Sequence, residues 1–403
     1  MNQTPSSERV HIAFYGRCNS GKSSLINALT GQEVAIVSDI AGTTTDPVSK
    51  AIELPGIGAT ILIDTPGLDD NTLLGNQRKA QSLKAIDKTD IGVVLFSDSD
   101  TSVEEDIIAQ LKVREIPVVG VISKCDTMQN RASLISKVNN IIGDEPIALS
   151  ASTKVGVDQL LARLASLTHQ EPRLITEGLC ESGDIVVLVM PQDAQAPKGR
   201  LIKPQVEVLR ELLDRGCNAF CCTPENLKSA LYTLSTPPQL IITDSQVFAP
   251  VNAVVEEYRK QNIENGGEKT LLTSFSILFA RYKGDIDAFV DGGRKLLSLS
   301  PASRVLIAEA CSHIPQNEDI GRVKLPRLLR NRIGEELQID IVGGNDFPTD
   351  LSQYDLVIHC GACMFNRRHV ISRVAQAKAQ NIAITNYGIA LATLTGIIDK
   401  VAL

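Results

Sequence analysis

Short apolar runs and amphipathic stretches alternate along almost the whole chain. Val10–Tyr15 is a run of strand length and Ser23–Leu29 has helical spacing. The same alternation returns at Thr60–Asp64, Ile91–Phe96, Glu104–Lys112 and Val118–Ser123. Strands separated by helices predict parallel α/β sheets, because a parallel pair needs a crossover connection. Pro146–Ser150 supplies a last strand and Val157–Leu167 a last helix for a first unit, which ends near Gln170, just before Glu171-Pro172. A second unit is expected over 178–267. Its strands are Asp184–Met190, Ala219–Cys222 and Leu240–Thr243, and its helices Gln205–Arg215, Glu225–Leu234 and Pro250–Gln261. Three strands make a thin sheet, and an open sheet edge completes itself against a second copy. This unit therefore predicts a homodimer.

Asn265-Gly266-Gly267 marks a turn or linker. A third unit, 268–403, opens on two helical patterns, Leu271–Tyr282 and Ile286–Leu297. Strands follow at Arg304–Glu309, Gln338–Val342 and Leu356–His359, with helices at Arg367–Ala379 and Tyr387–Ile398. The expected fold class is three consecutive α/β domains with mainly parallel sheets, over 1–171, 178–267 and 268–403.

Composition narrows the function. A chain of 403 residues suits two to three domains, and 43% hydrophobic with 22% charged residues is ordinary globular composition. A net charge of −7 opposes general attraction to nucleic acid or an anionic membrane. Aromatics at 4%, with no Trp, leave little on which bases could stack. Met1–Arg9 lacks the basic and apolar blocks of a signal peptide. The uncharged stretch Ile382–Ile398 contains Thr385, Asn386, Gly388, Thr393 and Thr395 and falls short of the ~20 apolar residues of a membrane span. It reads as a buried terminal helix. The expectation is a soluble, cytoplasmic protein with neither nucleic acid nor membrane as partner. Nine cysteines without a secretion signal suit a reducing compartment.

Gly16-Arg17-Cys18-Asn19-Ser20-Gly21-Lys22-Ser23 fits the phosphate-binding loop G-x4-G-K-S, between a predicted strand and a predicted helix. Backbone N–H groups from Gly16 to Ser24 and the helix N-terminus would hold the phosphates. Lys22 would reach the β- and γ-phosphates and Ser23 would ligate magnesium. Asp64-Thr65-Pro66-Gly67 ends a strand, so Asp64 can hold magnesium through water and the Gly67 amide can sense the γ-phosphate. Thr44, within Gly42-Thr43-Thr44-Thr45-Asp46, is the candidate switch hydroxyl for the metal.

These motifs resemble GTPases of the Era and tRNA-modification branch over about Val10–Leu167. The resemblance implies a guanine-recognition motif, N-K-x-D, found here as Ser123-Lys124-Cys125-Asp126. Asp126 would accept the guanine N1 and amine hydrogens, Lys124 would pack over the base, and Ser123 replaces the usual Asn with fewer contacts. Ser150-Ala151-Ser152 matches the last family motif, a backbone contact to the guanine oxygen. Leu68 stands where Ras-like enzymes carry a water-orienting Gln. Asn19 matches the Asn that holds potassium in this branch. The resemblance thus implies slow, potassium-stimulated hydrolysis of GTP.

A second cluster lies in the third unit. Cys311-Ser312-His313 follows the Arg304–Glu309 strand, and His359-Cys360-Gly361-Ala362-Cys363 follows the Leu356–Ile358 strand. Ligand sites of parallel sheets gather at the carboxyl ends of strands, so the two segments can meet. Gly361 is expected to let the chain bend. Three thiolates and two histidines suit a soft metal centre. Iron–sulfur, structural zinc and buried thiols all stay open on the residues alone. Cys18, Cys125, Cys180, Cys217, Cys221 and Cys222 read as cysteines without matching partners.

C-x-H, about 45 residues, then H-C-x-x-C, downstream of a potassium-type GTPase domain, resembles the FeFe-hydrogenase maturation GTPase, the HydF family. The resemblance covers the whole chain. It implies a 4Fe–4S cluster on Cys311, Cys360 and Cys363, with His313 and His359 as further candidates. It implies a scaffold and carrier that takes a di-iron precursor from two radical SAM maturases and delivers it to apo FeFe-hydrogenase. A ribosome- or tRNA-associated GTPase with a structural zinc domain is the alternative.

Overall fold

The computed structural model describes residues 5–31, 48–69, 81–128, 131–168, 173–191, 201–265, 269–310, 319–344, 346–362 and 364–403. They divide into two compact units, 1–171 and 172–403. Among the described residues there are three sheets.

The first unit is a six-stranded sheet in the order β2-β3-β1-β4-β5-β6. Its strands are β1 (Val10–Gly16), β2 (Val48–Leu54), β3 (Gly58–Asp64), β4 (Ile91–Phe96), β5 (Val118–Ile122) and β6 (Ile147–Ala148). Helices α1 (Lys22–Thr30), α2 (Ser102–Val113), α3 (Arg131–Ile142) and α4 (Val157–Thr168) connect them. All pairs are parallel except β2–β3. Sequence reading missed β2, because this edge strand is mostly exposed and lacks an apolar run. Two cores flank the central strands: Ile12, Phe14, Leu62 and Val93 pack on one face, and Ala13, Tyr15, Ile63 and Val94 on the other. Apolar residues on both faces, in near-continuous runs, are what a buried parallel sheet demands.

The second unit holds two four-stranded parallel sheets, in the orders β10-β9-β7-β8 and β12-β11-β13-β14. The first uses β7 (Ile185–Val189), β8 (Asn218–Cys222), β9 (Leu240–Thr243) and β10 (Leu271–Ser274), with helices α5 (Lys203–Asp214), α6 (Leu227–Thr233) and α7 (Phe248–Gln261). The sheet is therefore not the three-stranded one expected, and Leu271–Tyr282 is not one helix. Leu271–Ser274 pairs in register with Leu240–Thr243, and the helix that follows, α8 (Phe275–Lys283), begins only after the strand. Ser274 sets that break, because its side chain caps the helix by accepting from the Ile277 amide. The sheet accordingly extends past the expected boundary at Gly267.

The last sheet uses β11 (Arg304–Ala308), β12 (Gln338–Val342), β13 (Leu356–His359) and β14 (Ala383–Asn386). Helices α9 (Ile286–Leu296), α10 (Leu325–Ile333), α11 (Arg367–Ala379) and α12 (Tyr387–Leu394) pack around it. The uncharged stretch Ile382–Ile398 is a strand and a helix rather than one terminal helix. Asn386 divides them by accepting from the Ile389 amide as the helix cap. No helix among the described residues is long and apolar enough to cross a membrane. Helix α9 carries Gly292 where it crosses β14, and a Cβ there would overlap Ile384 O, which is backbone and cannot swing aside.

Candidate functional site: a phosphate loop and a cysteine loop

The phosphate loop runs from the end of β1 into α1. Asn19 and Gly21 take left-handed backbone (φ 57° and 96°), which curls the loop. Lys22 is buried, and its ammonium donates to Gly16 O (3.0 Å) and Arg17 O (2.7 Å), holding the loop in a ring. Burial pushes the Lys22 pKa below its usual range, against the pull of Asp64. Ser23 Oγ donates to Asp64 Oδ2 at 2.6 Å, so the two expected magnesium-side groups already converge. Asp64 Oδ1 is buried with no hydrogen-bond partner, and burial raises the carboxyl above its usual range. A buried carboxylate oxygen without a donor fits a divalent cation nearby. Ser20 Oγ is likewise buried and without a partner. Gly67 packs so tightly on Cys18 that a Cβ there would overlap Cys18 Sγ and lie 2.8 Å from Cys18 N. Leu68 is buried in the core beside Ile63 and Ile86, so it has no polar role.

The candidate base-recognition residues lie on the loops after β5 and β6. Ser123 is buried and its hydroxyl donates to Phe96 O at 3.2 Å. Lys124 has left-handed backbone (φ 53°) and is exposed, as is Asp126. The Ser150 hydroxyl holds the Asp126 carboxyl below its ordinary range, and Ser152 Oγ donates to Asp126 Oδ2 at 3.3 Å. Ser150 N donates to Val155 O, which closes the turn around Ala151. Asp126 is thus held ionised, the state that accepts two hydrogens from a guanine edge. Thr44 lies outside the described residues.

Of the metal-centre candidates, Cys311, His313 and Cys363 lie outside the described residues, and no group of three metal-ligating side chains occurs among those described. Cys360 and His359 are described. Cys360 Sγ accepts from Ala310 N (3.0 Å) and Ala362 N (3.4 Å). Those donors are the residues directly before Cys311 and Cys363. Backbone amides aimed at a sulfur stabilise thiolate and tune sulfur-bound clusters, so the donor set fits such a group. The bend of this loop falls at Ala362 (φ 52°) and not at Gly361, which is clear of its neighbours and lacks positive φ.

His359, one of the two further candidates, is held by hydrogen bonds of its own. Its Nε2 accepts from Arg373 Nη1 (2.9 Å), so Nδ1 carries the proton and donates to Cys360 O (2.8 Å). Burial, with the Arg373 charge, pushes the imidazole down to about 3, which keeps it neutral. Both ring nitrogens are engaged, and the ring braces the loop. Arg373 in turn lies over Phe347 and Phe365. Sequence reading missed a second brace: Lys283 is buried, and its ammonium donates to Ala362 O (3.2 Å) and Phe365 O (3.1 Å). Nothing in the sequence signals it, because 79 residues separate it from the loop. Cys180 and Cys217, read as cysteines without partners, lie together in the second unit with sulfurs 3.9 Å apart.

A six-stranded sheet with a Lys-closed loop, an acid and a Gly at the end of β3, and an Asp after β5 define a P-loop GTPase domain. It matches the model of the 50S ribosome-binding GTPase over 11–124. The chain belongs to the hydrogen maturase F (HydF) family: its dimerization-domain model matches 175–284 and its tetramerization-domain model 287–402. Among curated relatives, the tRNA modification GTPase MnmE of Xanthomonas euvesicatoria pv. vesicatoria is 34% identical over 160 residues, 39% of this chain and 34% of that one. MnmE of Laribacter hongkongensis is 38% identical over 159 residues, 38% of this chain and 33% of that one. The chain spans about a third of the length of these relatives. Solved structures with a similar fold include Era of Aquifex aeolicus, with 19% identity, 56% of this chain and 98% of that one covered, and TM-score 0.37. NFeoB of S. thermophilus has 22% identity, 40% and 64% covered, and TM-score 0.32.

Proposed function

We propose that this chain is a cytoplasmic GTP-hydrolysing scaffold that carries the di-iron subcluster precursor and delivers it to apo FeFe-hydrogenase. Membership of the HydF family supports the general role. The observation that carries the site is Cys360 Sγ, taking two amides from the residues that precede Cys311 and Cys363. Cys311, Cys360 and Cys363 would hold a 4Fe–4S cluster, with His313 near it and His359 as a positioning residue. When bound, that cluster would supply an open iron position for contact with the precursor. The proposed division is a GTPase domain over 1–171, a dimerisation domain over 178–267 with its sheet completed by Leu271–Ser274, and a cluster domain up to 403. Two radical SAM maturases would supply the precursor.

In the GTPase domain, Gly16, Asn19, Ser20, Gly21, Lys22, Ser23 and Ser24 hold the phosphates. Ser23 and Thr44 face magnesium, with Asp64 behind them. Asn19 holds potassium. Ser123, Lys124, Asp126 and Ser150–Ser152 hold guanine. Leu68 orients no water, so hydrolysis is slow and gains from potassium.

Metal content of anaerobically purified protein, read with an EPR spectrum after reduction, tests the cluster. About four irons per chain, with a signal lost on replacing Cys311, Cys360 or Cys363 by Ala, is the expected result. One tightly held zinc and no iron after reconstitution would overturn it. Turnover measured in potassium and in sodium tests the other half, and equal rates would remove the potassium role.

A further inference from the structure

The cysteine loop is polarised. Two amides point at its sulfur, because Ala310 N and Ala362 N both donate to Cys360 Sγ. Its carbonyls turn away and are taken from behind. Cys360 O accepts from His359 Nδ1 (2.8 Å), and Ala362 O and Phe365 O accept from the Lys283 ammonium (3.2 and 3.1 Å). Lys283 is the last residue of α8 and is 3% exposed. Its ammonium lies 5.6 Å from the centre of the Phe279 ring. Two carbonyl oxygens and an aromatic face are the surroundings a cation collects, since an ammonium donates and accepts nothing. A single residue joins this charge to the sulfur: the Ala362 carbonyl takes the ammonium and the Ala362 amide reaches Cys360 Sγ. A buried charge acts through protein rather than through water, so its field at a neighbouring group is strong.

We propose that the Lys283 ammonium raises the reduction potential of the centre held by the cysteine loop. This rests on the reading of that loop as an iron–sulfur site. On reduction, one electron from a low-potential donor enters the cluster. No bond forms or breaks, no proton moves, and the cluster gains one negative charge. A buried positive charge close by stabilises that state over the oxidised one, and net charge is among the factors that set a cluster's potential. The hydrogen bonds of Lys283 hold the loop in either state, so the preference for the reduced one comes from the charge. Lys283 is thus a positioning residue for the loop and an electrostatic one for the centre.

The test is a redox titration of the reconstituted full chain, followed by EPR, on the unaltered protein, Lys283→Gln and Lys283→Met. Lys283→Gln keeps a donor for the carbonyls and drops the charge. Both variants should be harder to reduce. At a fixed potential their ratio of reduced to oxidised cluster should fall about tenfold, a shift of about 59 mV for one electron. A loop that was merely loosened would admit water, which favours the more highly charged reduced state and moves the potential upward. An upward shift in either variant would therefore overturn the proposal. An unchanged potential in Lys283→Gln would overturn it too, by assigning any effect of Lys283→Met to hydrogen bonding. If Lys283→Gln held no iron where the unaltered chain holds it, Lys283 would be a support alone and the proposal would fall. If the unaltered chain took up no iron, the cluster reading itself would fail, and this inference with it.

Discussion

Lys22 illustrates how much a single residue carries. Its ammonium is buried and closes the loop on Gly16 O and Arg17 O, and burial holds its pKa below the usual range. Replacing it by Ala removes both the loop closure and the charge that meets the phosphates. Lys22→Ala should lower GTP turnover by about a hundredfold or more, the scale of losing one positioned electrostatic group; phosphate release assays check it. Ser123 is a second case. Its hydroxyl is committed to Phe96 O, so the usual bridging amide of an Asn is replaced by a bond into the sheet. Lys22 was singled out by residue type and spacing and Ser123 through the family resemblance, because phosphate and guanine recognition need fixed groups near one another in sequence. The parts of His359 and Lys283 were not legible. A His beside a Cys looks like a ligand until Arg373 is seen on its Nε2.

Elements show where packing overrides pattern. Leu271–Ser274 has an apolar start that continues smoothly into a helical pattern, yet β9 takes it as a strand and Ser274 starts the helix afresh. Ala383–Asn386 is the same case at the other end of the unit, where β13 takes the strand and Asn386 caps the helix. Helix α9 makes its own demand. Gly292→Ala would press a Cβ into Ile384 O, and overpacking against backbone costs about 3 kcal/mol. A lowered urea midpoint with unchanged slope is the expected signature. The cysteine loop depends on a helix far from it in sequence. Lys283→Met leaves Ala362 O and Phe365 O without their buried donor. That loss should destabilise the metal-free second unit by about 2 kcal/mol, as read by denaturant unfolding.

At the scale of the molecule, the open sheet edge is where assembly can be tested. In the middle sheet, β10 takes Ala402 on its outer side, with Ala402 N donating to Leu272 O at 2.8 Å. Among the described residues β8 pairs with β7 alone, and Cys221 on it is exposed. An edge with unpaired backbone groups recruits another strand, and Lys on such an edge prevents it. Cys221→Lys should therefore convert a dimer to monomers in sedimentation velocity at micromolar concentration. A dimer that persists would place the interface elsewhere.

The sequence by itself determined the α/β class and the phosphate-loop pattern, and by resemblance it pointed to a guanine motif and to paired cysteine segments whose ligand the residues left open. Those depend on local spacing and on the alternation of apolar runs. Only the tertiary structure decided that the middle sheet has a fourth strand, that Cys180 meets Cys217, that His359 takes Arg373 on its Nε2, and that Asp69 sits on the phosphate loop. Each of these joins residues distant along the chain or turns on which of two neighbours holds a shared hydrogen bond. Such choices are made by packing, which spacing along the chain does not record.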